Sequence, residues 1–401
     1  MNVEHIRKDF PILEKGIIYL DNAASSLTPR QVVERMVEYY YEYRANVERG
    51  VHRLSQRASE EYEEAHRKVV KFINASDPSE IIFTRNSTEG INIVANGLKW
   101  RKGDKIVTTL MEHHSNFITW LRASKRFGLR VEIVRPDETG MLDLGEFEKA
   151  IDDQTRIVAV TGLSNVLGCV VPVREIAKIA HEHGSLILVD GAQSVPHMPT
   201  DVQKIECDFL VFSGHKMLGP TGIGVLYIRE ELLPQVEPLC IGGGTIKRVD
   251  LDGYTLAESP MRFEAGTPPI AQAIGLGEAV EYLNRLGMEK VEEHDRKMAK
   301  AMQEGLNEIP GVKIYGPEDP KERLGIVSFN VEGLNPHEVA MALDAMANIM
   351  VRSGLHCAQA LMKYLINAPA GTVRASTYVY NTLEEAQKLV STLEQIVKTL
   401  R

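Results

Sequence analysis

The chain has 401 residues, 44% hydrophobic and 25% charged, with a formal charge of -9, a composition that suits a soluble globular protein of roughly two or three domains. The charge is spread without a Lys/Arg-rich stripe, no apolar run is long enough to cross a bilayer, and residues 1–13 lack the apolar stretch of a signal peptide, which argues against nucleic-acid binding, membrane insertion and secretion. Cys169, Cys207, Cys240 and Cys357 stand at wide, irregular spacings without a Cys-x-x-Cys pair; this argues against a zinc site or a disulfide framework and predicts a reducing, cytoplasmic setting.

In chain order, Thr28-Pro29 predicts a helix start, with threonine as N-cap and proline at the first helical position. Val32, Val33, Met36, Val37, Tyr40 and Tyr41 follow on one face. Between about 80 and 230, continuously apolar runs at 81–83, 105–110, 131–134, 157–160, 186–189, 209–212 and 223–227 alternate with helical stretches. Runs without polar alternation suit parallel strands covered on both faces, so a three-layer α/β unit with a mainly parallel sheet is expected. Ligands of such sheets sit beyond the carboxyl ends of the strands. After about 270 come long helical stretches, two short strands near 312–316 and 325–331, and a helix opening at Asn335-Pro336. A capping box from Thr382 to Glu385 starts the last helix, with Ala386, Leu389, Val390, Leu393, Ile396 and Val397 along one stripe. The expected division is an N-terminal segment 1–28 packing with a small α+β domain 271–401, and a large α/β domain 29–270.

The run 186–189 ends in Asp190-Gly191-Ala192-Gln193, which puts a carboxylate where the sheet presents its ligands; an Asp there also serves as an ordinary turn former. The next apolar run leads into Ser213-Gly214-His215-Lys216 and the glycine-rich stretch 219–224, whose backbone amides could approach a phosphate. A lysine desolvated at that place keeps a lowered pKa and can condense with an aldehyde. Upstream, Arg85-Asn86-Ser87-Thr88-Glu89-Gly90 opens a helix, with Ser87 or Thr88 as N-cap and the helix N-terminus as an anion site. A lysine, a carboxylate for a pyridinium nitrogen and a phosphate cradle are what pyridoxal-5'-phosphate (PLP) chemistry requires.

Further segments extend the pattern: Tyr19-Leu20-Asp21-Asn22-Ala23-Ala24, Met111-Glu112-His113-His114, Ser164-Asn165-Val166-Leu167-Gly168, Arg262-Phe263-Glu264-Ala265-Gly266-Thr267-Pro268, Arg352 to Ala358, and Arg374-Ala375-Ser376. Together and in this order they resemble the class V aminotransferase family of fold type I PLP enzymes, most closely its group II, SUF-type cysteine desulfurases. The resemblance implies a Schiff-base role for Lys216, a bond from Asp190 to the pyridine nitrogen, and a hydrogen bond from Gln193 to the ring hydroxyl, with Asn165 on the substrate side. It implies that His113 stacks on the ring and assists proton transfer, His114 being the alternative one position on. Thr88, Ser213 and His215 are similar to phosphate ligands, and Thr267 to a residue that reaches a phosphate across a dimer interface. Arg374 is similar to the clamp on the substrate carboxylate, with Arg352 also on the substrate side.

Cys357 lies in Arg352-Ser353-Gly354-Leu355-His356-Cys357-Ala358, which resembles the group II loop that carries the nucleophilic cysteine; His356 and Arg352 are surroundings that favour a thiolate. The other three cysteines are expected to be buried small hydrophobes. Leu355, Glu48 and Ala360 depart from the group II pattern. The implied activity is desulfuration of L-cysteine to L-alanine with a persulfide on Cys357, in a homodimer that passes sulfur to an acceptor or SUF scaffold protein for iron-sulfur cluster assembly. The rival readings are a selenocysteine lyase and a non-catalytic PLP-fold subunit of a sulfur-assembly complex.

Overall fold

The computed structural model describes residues 1–48 and 50–400, so Arg49, beside Glu48, and Arg401 lie outside the described residues. All seven apolar runs become strands of one sheet. Its spatial order among the described residues is Ile81–Thr84, Gly224–Ile228, Phe209–Ser213, Leu186–Asp190, Thr155–Thr161, Lys105–Thr109 and Arg130–Val134. Every pairing is parallel except those of Gly224–Ile228, which runs antiparallel to both neighbours.

Adjacent strand residues face opposite sides, and both sides of the inner strands are covered, which is why their runs lack polar alternation, whereas the edge strand Arg130–Val134 is largely exposed and carries Glu132. Val107, Val158 and Ile187 pack in one apolar cluster with residues of the helices Arg53–Ile73, Val173–Glu182 and Ile270–Leu286. Ile106, Ile157 and Leu188 pack in another with Ser87–Gly97 and His114–Phe127. Three layers result.

A second, antiparallel sheet has the order Val312–Tyr315, Ile326–Val331, Thr372–Ser376, Arg352–Gly354. Helices Met288–Asn307, Pro336–Ala347 and Leu383–Leu400 share its apolar cluster. The capping box at the last helix is present: the Glu385 amide donates to Thr382 Oγ1 at 3.3 Å and the Thr382 amide to Glu385 Oε2 at 3.2 Å. The strands Arg352–Gly354 and Thr372–Ser376, which sequence periodicity did not reveal, bring residues 352–357 and 374 toward the first sheet.

The N-terminal segment joins the two. Ile18–Tyr19 pairs in parallel with Ile349–Met350, Asn22 Nδ2 donates to Ser376 O at 2.6 Å, and the Ala23 amide donates to Ser376 Oγ at 2.9 Å. The Ser26 amide donates to His215 O at 2.9 Å, across at the first sheet.

Two local expectations change. The helix expected at Thr28-Pro29 is Arg30–Glu42, with Pro29 extended at the N-cap position; the Thr28 hydroxyl donates instead to Gly219 O at 3.4 Å. Its apolar stripe is split: Val32 is buried, whereas Val33, Val37, Tyr40 and Tyr41 are 48%, 40%, 48% and 86% exposed. The helix packs on Ile270–Leu286 through the Met36 side, close against Gly275, and leaves the other edge of the stripe uncovered.

Gly371 precedes the strand Thr372–Ser376 with φ +83°, and a Cβ there would lie 2.1 Å from the Gly354 carbonyl. Gly184 has a similar φ of +67° with nothing within 4 Å. Gly371→Ala is therefore expected to destabilise by about 3 kcal/mol or more, from backbone strain and a clash that backbone cannot relieve, and Gly184→Ala by only about 1 kcal/mol. Thermal unfolding of both variants checks this; equal midpoints would refute the close approach at Gly354.

Candidate active site

The carboxyl ends of the strands Thr155–Thr161, Leu186–Asp190 and Phe209–Ser213 open on a cleft of about 220 Å³ that the loop 355–358 and Arg374 close from the second sheet. Lys216, Asp190, Gln193 and Asn165 line it. So do Thr88, Ser213, His215 and His113, and on the far side Arg352, Cys357 and Arg374. Of the expected site residues Thr267 alone is elsewhere: it lines a separate groove with Leu239, Cys240 and Phe263.

Asp190 ends its strand, buried, and accepts from the Ala192 amide at 3.0 Å. Burial raises its pKa, and the charge on Lys216 opposes this. Lys216 ends the short 3-10 turn Gly214–Lys216 that follows the neighbouring strand. Its pKa is lowered to about 8 by burial, against the pull of Asp190. The shift brings the neutral amine, a nucleophile and a base, within reach near neutral pH, although the ammonium remains the larger fraction there. Gln193 donates one Nε2 hydrogen to Ala23 O at 2.7 Å, which leaves its second Nε2 hydrogen and the buried Oε1, unpartnered among the described residues, for a ligand.

The anion cradle is built at the start of Ser87–Gly97. Asn86, not Ser87 or Thr88, caps this helix, accepting from the Glu89 amide at 3.1 Å. That leaves the hydroxyls for other work: Ser87 Oγ lies 2.7 Å from Ser213 Oγ, and Thr88 Oγ1 2.7 Å from Ser115 Oγ. With the neutral His215 ring, whose pKa burial lowers to about 4, these groups and the helix N-terminus suit a phosphate. The glycine-rich stretch 219–224 does not line the cleft: 219–221 line an outer groove and Gly222 the groove of Thr267. Gly224 is small for packing, since a Cβ there would sit 2.6 Å from the Asn86 Cα.

The two histidines separate. His113 faces the cleft as N-cap of His114–Phe127, its Nδ1 accepting from the Ser115 amide at 3.1 Å. Burial, then the charge of Lys216, lowers its pKa to about 3, so the ring is neutral. His114 turns to the loop of Cys357, where its amide donates to Cys357 O at 2.7 Å and its Nε2 accepts from the Gln359 amide at 3.1 Å.

Cys357 is exposed, and within the reach of its charge stand Lys216 and Arg374. His356 does not activate it: its ring is buried against Thr372, and burial lowers its pKa to about 3. The cationic groups that line the cleft together with Cys357 are Lys216, Arg352 and Arg374. Leu355 packs against the large apolar cluster. Cys169 and Cys207 are buried as expected, but Cys240 is exposed, because Leu239 and Ile241 beside it are exposed as well.

Arg374, in the strand Thr372–Ser376, donates to Asn165 O at 2.9 Å and to Asp21 Oδ1 at 3.2 Å. Its Nε is buried without a partner among the described residues. Burial lowers its pKa to about 10, which leaves it a cation. Two groups escaped the sequence reading. Ser115 Oγ links Thr88 to His113 Nδ1, at 3.1 Å from the latter. Glu112 is fully buried, accepts from Thr109 Oγ1, Asn116 Nδ2 and the Thr161 amide, and has its pKa raised by burial to about 8. An acidic residue at the carboxyl end of a buried strand was the available signal.

An amine of lowered pKa, a carboxylate on the adjacent strand, a phosphate cradle and a buried guanidinium fit PLP, and with this sheet they define an enzyme of PLP fold type I. The family described as Aminotransferase class-V matches residues 18–389, and the chain belongs to the class-V aminotransferase family. A probable cysteine desulfurase of Pyrococcus abyssi is 52% identical over 99% of this chain and 98% of its own length. The apo structure of the cysteine desulfurase from Thermococcus onnurineus NA1 superposes with a TM-score of 0.95 at 51% identity, covering 99% of this chain and 98% of that one. A more distant structure, a C-DES mutant with glycine covalently linked to its PLP cofactor, has a TM-score of 0.84 at 26% identity over 97% of this chain and 98% of that one.

If Lys216 titrates as its burial dictates, condensation of the apo-protein with PLP, trapped by borohydride, should label Lys216 at a rate that rises with pH and levels off above about 8. Asp190→Asn should move that midpoint to lower pH, because the charge of Asp190 favours the ammonium. Peptide mapping reads the site; a label on another lysine, or a midpoint unmoved by Asp190→Asn, would overturn this account.

Proposed function

We infer that this chain is a PLP-dependent cysteine desulfurase that converts L-cysteine to L-alanine and takes the sulfur onto Cys357. The observation that carries the reading is the convergence, in one cleft, of the lowered-pKa amine of Lys216, the Arg374 guanidinium and the exposed Cys357 thiol. When bound, PLP serves as an electron sink for the bonds at the substrate's α-carbon.

Lys216 would hold the cofactor covalently, Asp190 its ring nitrogen and Gln193 its hydroxyl, with His113 stacked on the ring. Thr88, Ser213 and His215 would hold the phosphate. Arg374 receives the substrate carboxylate, with Asn165 and Arg352 beside it. Lys216 Nζ, in its neutral form, takes the α-proton, and the neutral His113 assists the proton transfers, the α-carbon regaining its proton only after the sulfur has left. The Cys357 thiolate then attacks the substrate sulfur: the new S–S bond forms as the substrate's C–S bond breaks, the electron pair of that bond stays with the substrate's carbon, and uptake of a proton there gives alanine beside an enzyme persulfide.

A homodimer is part of this proposal. Thr267 lies outside the cleft of its own chain, where it could serve the phosphate site of a second copy. The exposed edge of the helix Arg30–Glu42, with Val33, Val37, Tyr40 and Tyr41, supplies apolar surface for such contact. Delivery of the sulfur to an acceptor or scaffold protein for iron-sulfur cluster assembly is supported by the exposure of Cys357. Of the division 1–28, 29–270 and 271–401, the packing of segment 1–28 with the C-terminal unit is supported by the pairing of Ile18–Tyr19 with Ile349–Met350, whereas the helix Ile270–Leu286 shares the apolar cluster of the first sheet. No described helix is long and apolar enough to cross a membrane. A cytoplasmic setting is supported by four free cysteines.

Cys357→Ala should keep bound PLP and its spectral response to cysteine, yet lower alanine formation by roughly two orders of magnitude or more and form no persulfide. Mass spectrometry after one turnover and alkylation reads this. A persulfide on another cysteine, or full turnover by the variant, would sink the mechanism.

Sedimentation of the PLP-loaded protein is expected to give a dimer whose dissociation releases cofactor. An active, PLP-saturated monomer would rule the dimer out.

A further inference from the structure

The loop that carries Cys357 is strained. His356 and Cys357 have φ of +50° and +55°, two successive left-handed residues neither of which is glycine. Such backbone persists only where surrounding bonds over-determine it. Four do so here. Asn165 Nδ2 donates to His356 O at 2.8 Å, and the His356 ring is fixed on Thr372 Oγ1 at 3.0 Å. The His114 amide donates to Cys357 O at 2.7 Å, and the Gln359 amide donates to His114 Nε2 at 3.1 Å. Asn165 and Thr372 thus hold the loop before the thiol and His114 holds it just after, and the His114 ring is the one part of the strap that is both titratable and only half-buried.

We propose that His114 is a positioning residue for Cys357: its neutral imidazole and its backbone amide together strap the strained loop so that the thiol faces the cleft, and protonation of the ring undoes half of the strap. The inference rests on the assignment of Cys357 as the sulfur-accepting thiol. To accept from Gln359, Nε2 must be unprotonated, so the ring carries its single proton on Nδ1. The titratable groups facing it are His113, with ring centroids 6.3 Å apart, and Cys357 on the loop it holds.

The sign follows. Burial lowers the His114 pKa below its ordinary value, so the strap is fully present at pH above that ordinary value and is lost as the pH falls through the lowered one. A Gln at this position offers an amide oxygen as acceptor but does not titrate. It therefore separates the hydrogen bond from its pH dependence.

The test is hydrogen exchange of the Gln359 amide in the PLP-loaded protein without substrate, corrected for intrinsic rates. His114→Ala should speed this exchange by about tenfold at neutral pH, and His114→Gln should restore most of the protection. In the unaltered protein protection should fall on acidification; in His114→Gln it should stay level. Single-turnover persulfide formation should drop in His114→Ala with little change in KM, because Arg374 is untouched. Equal exchange in the unaltered protein and His114→Ala, or the same acid-induced loss in His114→Gln, would overturn the proposal. The exchange measurement uses no cysteine, so it stands or falls separately from the desulfurase reading; a persulfide found on another residue would remove that reading and leave the strap intact.

Discussion

Residues 20–26 must satisfy hydrogen bonds to two sheets at once, and the cleft exists only where they do. On one side Leu20 and Asn22 bond the strand Thr372–Ser376 and place Arg374; on the other, Ser25 and Ser26 bond His215 O, directly before Lys216. Between them Ala23 O takes the amide of Gln193. Asn22 is buried and fully used: its Nδ2 reaches Ser376 O, Tyr19 O and Asn381 Oδ1, while Tyr380 donates to its Oδ1. Losing any partner would strand a buried polar group at a cost of about 1–3 kcal/mol. Small residues at 23 and 24 let the chain pass along the wall of the cleft. The separation between the amine and the guanidinium is therefore set by a segment remote from both in sequence.

Burial decides which groups in the cleft keep their charge. His113, His215 and His356 are driven neutral, with pKa values of about 3, 4 and 3. Lys216, at about 8, is poised between forms, and Arg374, at about 10, stays charged. Asp21 offsets part of the cost of the buried guanidinium and accepts only one of its hydrogen bonds. A site with fixed positive charge, a titrating amine and neutral imidazoles is arranged for an anion that carries its own amino group. Desolvation, not pairwise contact, is the first cause of every one of these shifts.

Much of this was legible in the sequence because buried parallel strands leave an unambiguous trace. Short apolar-rich runs marked all seven strands, though Glu132 interrupts the one at the sheet's edge, and Asp190 and Lys216 stood out because each follows such a run at the end where the sheet presents its ligands. Glycines misled. The stretch 219–224 looked like a phosphate cradle, but its glycines serve turns and the close approach of Gly224 to Asn86, and local sequence does not distinguish these uses. The stripe from Val32 to Tyr41 has helical period, yet period says nothing about which edge meets Ile270–Leu286. The antiparallel course of Gly224–Ile228 and the short strands Arg352–Gly354 and Thr372–Ser376 depend on pairings such as Ile81 with Tyr227, Val327 with Ala375 and Arg352 with Arg374, which local periodicity does not contain.

The adjacent histidines show how a helix start can serve two elements. His113 is the N-cap, still extended, and folds its Nδ1 back onto the Ser115 amide, which turns the ring over the cleft. His114 is the first helical residue, whose amide has no partner within the helix and is free to bond outward. It finds Cys357 O, and its ring then meets the Gln359 amide. One peptide step thus divides the pair between the cleft and the loop that carries Cys357, and any shift of the helix start would move both together. The neutral state that burial imposes on His113 and the neutral state that the Gln359 bond requires of His114 are compatible, since neither ring adds a positive charge to its neighbour. The helix His114–Phe127 is anchored below by Glu112 through Asn116, which in turn receives the Trp120 indole at 2.9 Å. That buried chain makes a rigid base for the start of the helix, and with it for the thiol, so the precision of a strained surface loop is borrowed from hydrogen bonds in the core.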